Sequence, residues 1–307
     1  MNNLIIKLGA TGDVVRTTPL LNHLAGDVSW ITAAKNLPLL SGVSPKLRAF
    51  GWEQRGKVCD RKYDLIINLE DTLEAAQFIL QVRHKLLFGA HTDAEGILVY
   101  TDDARDWFDL SLISRFGRAE ADRLKLVNRR TYQDLIFAGL KLQFQGEPYV
   151  LPEPARTSLV GDVAISPKAG AVWPMKNWAY YGELQRELER TGLTVNVLPE
   201  RATLLEHLGD VAQHRLLVSG DSLPMHFALG RGIRCVTIFN CTSPWEIHDY
   251  GIMRKIISPM LAEFFYQRGN DPRATTAICL EEVFAAVMEQ IEEGRRMTEG
   301  GGRKAGG

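Results

Sequence analysis

A single carboxylate in a glycine-flanked segment is the first candidate for chemistry in this chain. Asp13 follows the short apolar run Leu4–Leu8, which is typical of a buried parallel strand. Thr18-Pro19 is typical of an N-cap and a first helical residue, so we predict that the next helix begins there. Residues 9–17 would then form an exposed loop, where a carboxylate could act as a general base. The alternative is that Asp13 caps a helical turn starting at Val14.

Two further stretches carry residue types suited to an anionic ligand. Ser166–Trp178 leaves a strand pattern and carries Lys176, and Leu216–Ala228 passes from a strand through Asp221 into a helix with Pro224 in its first turn. A helix N-terminus offers N–H groups and the positive end of the helix dipole, so it can bind phosphate, and Lys176 could add charge. The alternative is that these residues have no ligand: Lys176 would be solvated, and Asp221 or Ser222 would only cap the helix.

Other chemistries lack their sequence signatures. The chain has no Walker lysine loop, no GxGxxG after the first strand pattern, no HExxH and no DxD pair. Its four cysteines show no CxxC spacing, which favours reduced structural thiols and a cytoplasmic compartment. The formal net charge of -1 gives no overall attraction for nucleic acid. No run approaches the ~20 apolar residues that span a bilayer.

Strand and helix patterns alternate on both sides of a proline-rich segment, Gly146–Ser158. The strand patterns are Leu4–Leu8, Val28–Thr32, Asp64–Leu69, Lys85–Phe88, Asp162–Ser166, Thr194–Leu198, Arg215–Ser219 and Arg234–Phe239. The helix patterns are Thr72–Val82, Thr131–Leu140, Trp178–Arg190, Ser222–Leu229 and Glu281–Glu292. The alternation predicts two doubly wound α/β domains, residues 1–155 and 156–293, and a disordered glycine-rich tail at 294–307. Because ligands bind at the carboxyl ends of strands in such sheets, we expect a site in the cleft between the domains.

Four stretches resemble glycosyltransferase family 9, the heptosyltransferase family of lipopolysaccharide assembly. They are LIIKLGATGDVVRTTPLL, YDLIINLE, GAVWPMKNWAYYGEL, and LLVSGDSLPMHFA with the later IFNCTSP, in the family's order and spacing as far as Pro244. The resemblance implies the GT-B fold, in which two Rossmann-like domains face a central cleft. The N-terminal domain would bind the acceptor and the C-terminal domain the nucleotide-sugar donor.

The activity that this resemblance implies is an inverting, metal-independent transfer of a heptose from ADP-heptose. The acceptor would be a hydroxyl of a glycan, of a lipid-linked glycan or of a similar molecule. No cofactor is expected beyond the nucleotide-sugar co-substrate. The protein would work in the cytoplasm, where it could associate peripherally with the inner face of the membrane.

The resemblance also implies a role for each matching residue. Asp13 matches the catalytic base, with Thr11 and Gly12 in the same loop near acceptor and donor. Lys176 matches a lysine that contacts donor phosphate, and Asp221 matches an acidic residue near the donor sugar hydroxyls. The other donor-binding residues that it implies are Glu200, which matches a ribose-contacting acid, Ser222, Leu223, Pro224, Met225 and His226 at the helix start, and Thr242.

Departures from the family pattern fall on the donor side and leave two alternatives open. Leu223 replaces a glycine, Ala179 a proline, and Asn240–Thr242 reads NCT where the family has GPT. One alternative is a family 9 enzyme that uses another nucleotide sugar or a non-lipopolysaccharide acceptor. The other is a non-catalytic nucleotide-sugar- or glycan-binding protein, although a mere binder would not need the base Asp13.

Several side chains near these motifs also have purely structural interpretations, which are favoured for His226 and for Lys125. His226 could be a hydrogen-bonded core residue instead of a base, and Trp173 and Trp178 could pack instead of stacking on a base or sugar. Lys125 and the following NRRTYQDL could bind a phosphorylated acceptor or form a solvated helix face.

Overall fold

The computed structural model describes residues 1–170 and 172–301. The chain divides into two compact units. Unit 1 comprises Met1–Pro152 and the short segment Trp245–His248, and unit 2 comprises the chain from Glu153 to Pro244 and from Asp249 onward. The first crossing lies inside the proline-rich segment, whereas the return of four residues to unit 1 had no sequence signal.

Unit 1 is built on a largely parallel sheet. Its described strands are β1 Asn2–Ile6, β2 Asp27–Thr32, β3 Leu47–Gly51, β4 Lys62–Asn68, β5 Arg83–Thr92 and β6 Leu98–Tyr100. Their order is β3-β2-β1-β4-β5-β6, and β6 runs antiparallel to β5 while the other neighbours are parallel. The direction of winding reverses between β1 and β4, and the carboxyl ends of these two strands flank the crevice that such sheets use for ligands.

Helices cover both faces of the unit 1 sheet. The described helices are α1 Thr11–Thr17, α2 Leu37–Leu40, α3 Leu73–Ile79, α4 Arg105–Phe108, α5 Arg118–Val127 and α6 Tyr132–Gly139, with 3₁₀ helices at Thr18–Asn22, Ala34–Asn36, Trp52–Val58 and Asp102–Ala104. Alternate residues of β1 point to opposite faces: Ile5 packs into one core, and Leu4 and Ile6 into the other. The unit is therefore doubly wound, as the apolar strand patterns predicted.

The segment after β1 differs from the sequence prediction. Residues 9–17 were expected to form a loop, with a helix beginning at Thr18-Pro19. Instead α1 starts at Thr11, and the proline lies in the 3₁₀ helix that follows. The valines Val14 and Val15 are fully buried, and this packing outweighs the local N-cap signal. Asp13 accordingly lies in the first turn of a helix and not on a free loop.

Unit 2 carries a second, fully parallel sheet. Its described strands are β7 Gly161–Ser166, β8 Val195–Val197, β9 His214–Gly220, β10 Arg234–Phe239 and β11 Met253–Ile257. Their order is β11-β10-β9-β7-β8, so winding reverses between β7 and β9. The described helices are α7 Tyr181–Arg190, α8 Leu204–Ala212, α9 Leu223–Arg231, α10 Leu261–Phe264, α11 Pro272–Thr276 and α12 Leu280–Gly301, with a 3₁₀ helix at Pro174–Lys176.

The last helix is longer than its sequence pattern indicated. Residues 294–301, expected to begin a disordered tail, continue α12 as far as Gly301, and residues 302–307 lie outside the described part of the chain. Glu292 and Arg296 form an i,i+4 ion pair at 3.4 Å along this extension. None of the helices in the described ranges is long and apolar enough to cross a bilayer. The four cysteines form no disulfide.

Candidate functional site

Asp13 lies at the carboxyl end of β1, held by two cations. Its Oδ1 is 2.9 Å from Nη2 of Arg16, and its Oδ2 is 3.8 Å from Nζ of Lys7. Oδ2 also accepts a hydrogen bond of 3.3 Å from the backbone N–H of Ala10. The side chain remains 30% exposed, so the carboxylate is oriented but still accessible to a small reactant.

Lys7 is a buried lysine at the switch point of the unit 1 sheet. Its Nζ donates to Oε1 of Glu70 at 2.9 Å, and the backbone N–H of Leu8 donates to the same oxygen at 2.8 Å. Burial alone would lower the pKa of Lys7, but the carboxylates of Asp13 and Glu70 outweigh it and raise that pKa to about 12. Lys7 therefore stays protonated at neutral pH and keeps a positive charge beside Asp13.

Arg16 connects Asp13 to the buried carboxylate of Glu246. Its guanidinium carbon lies 4.1 Å from the ring centroid of Tyr132, and its Nη1 is 3.7 Å from Oε2 of Glu246. Glu246 belongs to the returning segment Trp245–His248, and its Oε1 is 3.7 Å from Nζ of Lys125 on α5. We refer to Lys7, Asp13, Arg16, Glu70, Lys125 and Glu246 as the Asp13 cluster.

Thr11 and Gly12 support the cluster from the start of α1. The hydroxyl of Thr11 donates to Oδ1 of Asn36 at 2.8 Å, and Nδ2 of Asn36 donates to the Leu8 carbonyl at 2.8 Å. Asn36 is fully buried, so this pair fixes the connection between β1 and α1. Gly12 occupies the second position of the helix.

A cavity of about 410 Å³ adjoins this end of the unit 1 sheet. Its lining comes from the connections that follow β1, β2 and β3, and includes Leu8, Ala34, Leu37, Trp52 and Glu53. The surface is largely apolar with one indole, which is the character of sites that hold a small organic ligand.

Lys176 and Asp221 form a largely buried ion pair in unit 2, although the sequence analysis gave them separate donor-binding roles. Nζ of Lys176 donates to the carbonyl of Asp221 at 2.8 Å and to its Oδ2 at 3.0 Å. Lys176 lies between β7 and α7, and Asp221 directly follows β9, so the pair lies at the switch point of this sheet.

The environment of Asp221 keeps it ionised. Burial alone would raise the pKa of Asp221, but the charges of Lys176 and His226 and hydrogen bonds from Lys176 and Thr242 outweigh it and bring the pKa to about 2. The structure thus gathers Lys176, Asp221, His226 and Thr242, which were all predicted donor-binding residues.

Lys176 is positioned by the carboxyl ends of the neighbouring strands. Nδ2 of Asn240, which follows β10, donates to the carbonyl of Met175 at 3.0 Å. A Cβ at Gly220 would lie 2.9 Å from the Lys176 carbonyl, so glycine permits the close approach of the two segments. Asn240, a departure from the family pattern, therefore contacts the segment that carries Lys176.

Helix α9 begins where the sequence predicted, but its N-terminus is not capped by a side chain as expected. Ser222 is the N-cap residue and makes no side-chain capping bond, its hydroxyl donating instead to the Gly220 carbonyl at 3.3 Å. Asp221 precedes the N-cap, so neither residue caps the helix through its side chain. Leu223 is half-buried, Pro224 is buried in the first turn, and the side chains of Met225 and His226 are also buried.

The side chains of Glu200 and of the two tryptophans contact groups other than the Lys176–Asp221 pair. The Glu200 side chain is 90% exposed and lies 3.4 Å from Lys168. Trp178 is buried and its Nε1 donates to the Ile278 carbonyl at 2.9 Å, which supports its packing interpretation. Trp173 meets Tyr266 edge-to-face, with 5.5 Å between ring centroids.

The sequence gave no functional assignment to four members of the Asp13 cluster, namely Lys7, Arg16, Glu70 and Glu246. Arg16 stands three residues after Asp13, a helical spacing that would have indicated an ion pair had the segment been predicted as a helix. Lys7 is a lone charge inside an apolar strand pattern, and Glu70 ends the YDLIINLE motif. Both positions could have been recognised in the sequence as candidate site residues. Glu246 gave no local signal, since its partners come from distant parts of the chain.

Within residues 1–170 and 172–301, no group of three or more His, Cys, Asp and Glu side chains is arranged to hold a metal ion. In the Asp13 cluster and at the Lys176–Asp221 pair, each carboxylate faces a lysine or an arginine.

The two parallel sheets and their helices define two doubly wound α/β units, the class of fold that the resemblance to glycosyltransferase family 9 implied. More narrowly, solved structures of glycosyltransferases share this fold. A family 9 glycosyl transferase from Veillonella parvula matches with a TM-score of 0.66 and 15% identity, over 95% of this chain and 97% of that one.

Two further structures come from E. coli. The ADP-heptose lipopolysaccharide heptosyltransferase II matches with a TM-score of 0.63 and 15% identity, over 95% of this chain and 99% of that one. The iron-containing dodecameric glycosyltransferase TibC matches with a TM-score of 0.55 and 12% identity, over 97% of this chain and 79% of that one. No protein-family model and no curated protein sequence matches the chain. The α/β fold class with parallel sheets that the resemblance implied is thus confirmed by structural similarity at low identity.

Proposed function

We propose that this protein is an inverting glycosyltransferase that moves a heptose from ADP-heptose to a hydroxyl of a glycan or lipid-linked acceptor, with Asp13 as the general base. The observation that carries the proposal is the state of Asp13: partly exposed, oriented by Arg16 and Ala10, and located at the ligand-binding end of a sheet whose fold is shared with family 9 enzymes. The proposed working place is the cytoplasm, at the inner face of the membrane.

The proposed chemistry requires Asp13 to be ionised before it can take a proton. An acceptor hydroxyl is a poor nucleophile at neutral pH, and a positioned carboxylate that removes its proton typically contributes ~10²–10⁴-fold. The charges of Lys7 and Arg16 favour the ionised form of Asp13. Glu70 and Glu246 lie 2.9 Å and 3.7 Å from those same cations and partly offset their effect on Asp13.

The acceptor is proposed to bind in unit 1. The cavity beside Leu8 and Trp52 would hold a part of the acceptor that does not react, and the connection from β1 to α1 would bring its hydroxyl to Asp13. An indole in the lining suits the apolar face of a sugar ring.

The donor is proposed to bind in unit 2, at the Lys176–Asp221 pair and the start of α9. The N–H groups and dipole of a helix N-terminus favour a diphosphate, and Lys176 supplies the charge that stabilises it as the glycosidic bond breaks. Asp221, held ionised by Lys176, would accept hydrogen bonds from sugar hydroxyls. With these groups facing the leaving diphosphate, we propose that transfer does not depend on a metal.

A panel of nucleotide sugars, assayed with the wild-type protein and with Asp13→Asn, tests the proposal. We expect transfer or slow hydrolysis of ADP-heptose by the wild type, and a loss of turnover of ~10²-fold or more in Asp13→Asn, which stays folded with little change in donor affinity. Asparagine keeps the shape of aspartate but not its basicity, so it isolates the proton transfer.

Other outcomes distinguish the alternatives. Turnover of a different nucleotide sugar would keep the mechanism and correct the donor, in line with the changes at Leu223 and Asn240. Tight donor binding without turnover of any donor would identify a binding protein. Wild-type rates in Asp13→Asn would refute the role of Asp13.

A further inference from the structure

We infer that Glu246 is a positioning residue for Asp13, on which it acts through Arg16, and that Lys125 counterbalances Glu246. The inference rests on the proposed role of Asp13 as the base, but its first test below needs no turnover. All four residues lie in unit 1, since Glu246 belongs to the returning segment Trp245–His248.

The first support is that the Arg16 guanidinium lies between two carboxylates. One nitrogen is 2.9 Å from Asp13 and another is 3.7 Å from Glu246, while its carbon lies 4.1 Å from the centroid of the Tyr132 ring. The aromatic face limits movement in one direction, the Asp13 contact is of hydrogen-bond length, and the longer Glu246 contact adds electrostatic attraction on the other side. The position of Arg16, and with it the orientation of Asp13, therefore depends on Glu246.

The second support is the burial of Glu246, whose side chain is only 5% exposed. An ionised carboxylate in this environment is strongly destabilising without nearby positive charge, and Arg16 and Lys125 provide that charge. The segment itself is anchored: the backbone N–H of Tyr132 donates to the Glu246 carbonyl at 3.0 Å, and the Arg129 guanidinium lies 3.7 Å from the Trp245 ring centroid.

The charged groups around Asp13 come from several elements. Arg16 faces it from α1, Lys7 from the position directly after β1, and the Tyr132 hydroxyl, whose pKa is raised by burial, from α6. Behind these groups, Glu70 contacts Lys7, and Glu246 and Lys125 contact each other beside Arg16. In this set Glu246 and Lys125 act on Asp13 with opposite sign.

The sign of each effect follows from the charges. Replacing Glu246 by glutamine removes a negative charge and leaves more of the Arg16 field on Asp13, which lowers the proton affinity of the Asp13 carboxylate. Replacing Lys125 by glutamine leaves Glu246 less neutralised, so more of the Arg16 charge is offset and the proton affinity of Asp13 rises. A Glu246 that only anchors its segment, with no electrostatic coupling to Asp13, predicts no such reversal.

The first experiment is a direct titration of the Asp13 carboxyl carbon by NMR in aspartate-labelled protein, with the resonance assigned from Asp13→Asn. We expect Glu246→Gln to move the titration midpoint down by about 0.5–1 pH unit and Lys125→Gln to move it up by a smaller amount. Glu120→Gln, which breaks the exposed pair with Arg123, is the matched control and should leave the midpoint unchanged.

The second experiment measures transfer rates as a function of pH. In Glu246→Gln the acidic limb of kcat/KM should move down by the same amount as the NMR midpoint, and kcat should fall about three- to tenfold with donor KM unchanged, because Asp13 becomes a weaker and less well oriented base. Glu246→Asp restores the charge and should return the limb toward its wild-type position.

Unchanged midpoints, or shifts of the same sign in Glu246→Gln and Lys125→Gln, would overturn the inference. Should Glu246→Gln fail to fold, the upward shift expected in Lys125→Gln decides the question. A wild type that transfers no sugar would refute the proposed function, whereas the NMR midpoints would still decide the coupling of Glu246 to Asp13.

Discussion

Replacing Lys176 by methionine should destabilise the protein by an amount that the structure allows to be worked out. Lys176 and Asp221 are both largely buried and 3.0 Å apart, and the pKa of Asp221 falls from 3.8 to about 2. At about 1.4 kcal/mol per pKa unit, this shift corresponds to about 2 to 3 kcal/mol of stability at neutral pH. Methionine keeps the length and apolar volume of lysine, but it leaves the Asp221 carboxylate buried with less positive charge. We therefore expect a loss of about 2 to 4 kcal/mol in the free energy of unfolding at pH 7.

The same loss should depend on pH with a defined sign. In the wild type the depressed pKa of Asp221 stabilises the fold fully above about pH 4, and this contribution is lost as the pH falls toward 2. In Lys176→Met the charge of Lys176 no longer offsets the effect of burial, so the pKa of Asp221 rises. The loss of unfolding free energy is then largest at pH 7, where the carboxylate is ionised, and becomes smaller as the carboxyl is protonated. The stability difference between the two proteins should therefore narrow as the pH falls from 7 to 4.

Urea unfolding followed by circular dichroism at several pH values measures these differences. Lys168→Met is the matched control, because Lys168 forms an exposed pair with Glu200 and its loss should cost less than about 1 kcal/mol. Adding Asp221→Asn to Lys176→Met removes the stranded charge and should recover more than half of the loss. A Lys176→Met variant as stable as the Lys168→Met control, or a difference that does not change with pH, would refute the reasoning.

The remaining predictions concern the proposed donor site. Transfer should proceed at an unchanged rate in excess EDTA if Lys176 and the start of α9 stabilise the leaving diphosphate as proposed; a chelated enzyme that recovers only when Mg²⁺ or Fe²⁺ is added would contradict this. Asn240→Ala should release the Met175 carbonyl that orients Lys176, lowering stability by about 1 kcal/mol and weakening donor binding several-fold in calorimetric titrations. Donor affinity equal to that of the wild type would mean that Lys176 does not depend on Asn240.

The sequence by itself determined most of the core strands and the positions of the chemistry-bearing residues that follow them. Arg234–Phe239 was predicted with the bounds it has in the structure, because a buried parallel strand is a continuous apolar run. Asp13, Lys176 and Asp221 stood out because polar residues at the carboxyl ends of such runs lie where these sheets bind ligands. The strands β3, β6 and β11 had no prediction; β3 and β6 are largely half-buried, and β11 alternates with exposed positions, so none gives a clear apolar run.

Only the tertiary structure decided which charges meet. The helix that carries Asp13 forms because Val14 and Val15 bury against the core, which no local capping signal reveals. The pairing of Lys176 with Asp221 depends on the register of β7 with β9 and on the space left by Gly220. Glu246 reaches Arg16 through a four-residue return of the chain to unit 1. Burial strengthens each of these ion pairs, and burial is a property of the packed chain that residue types and spacing do not contain.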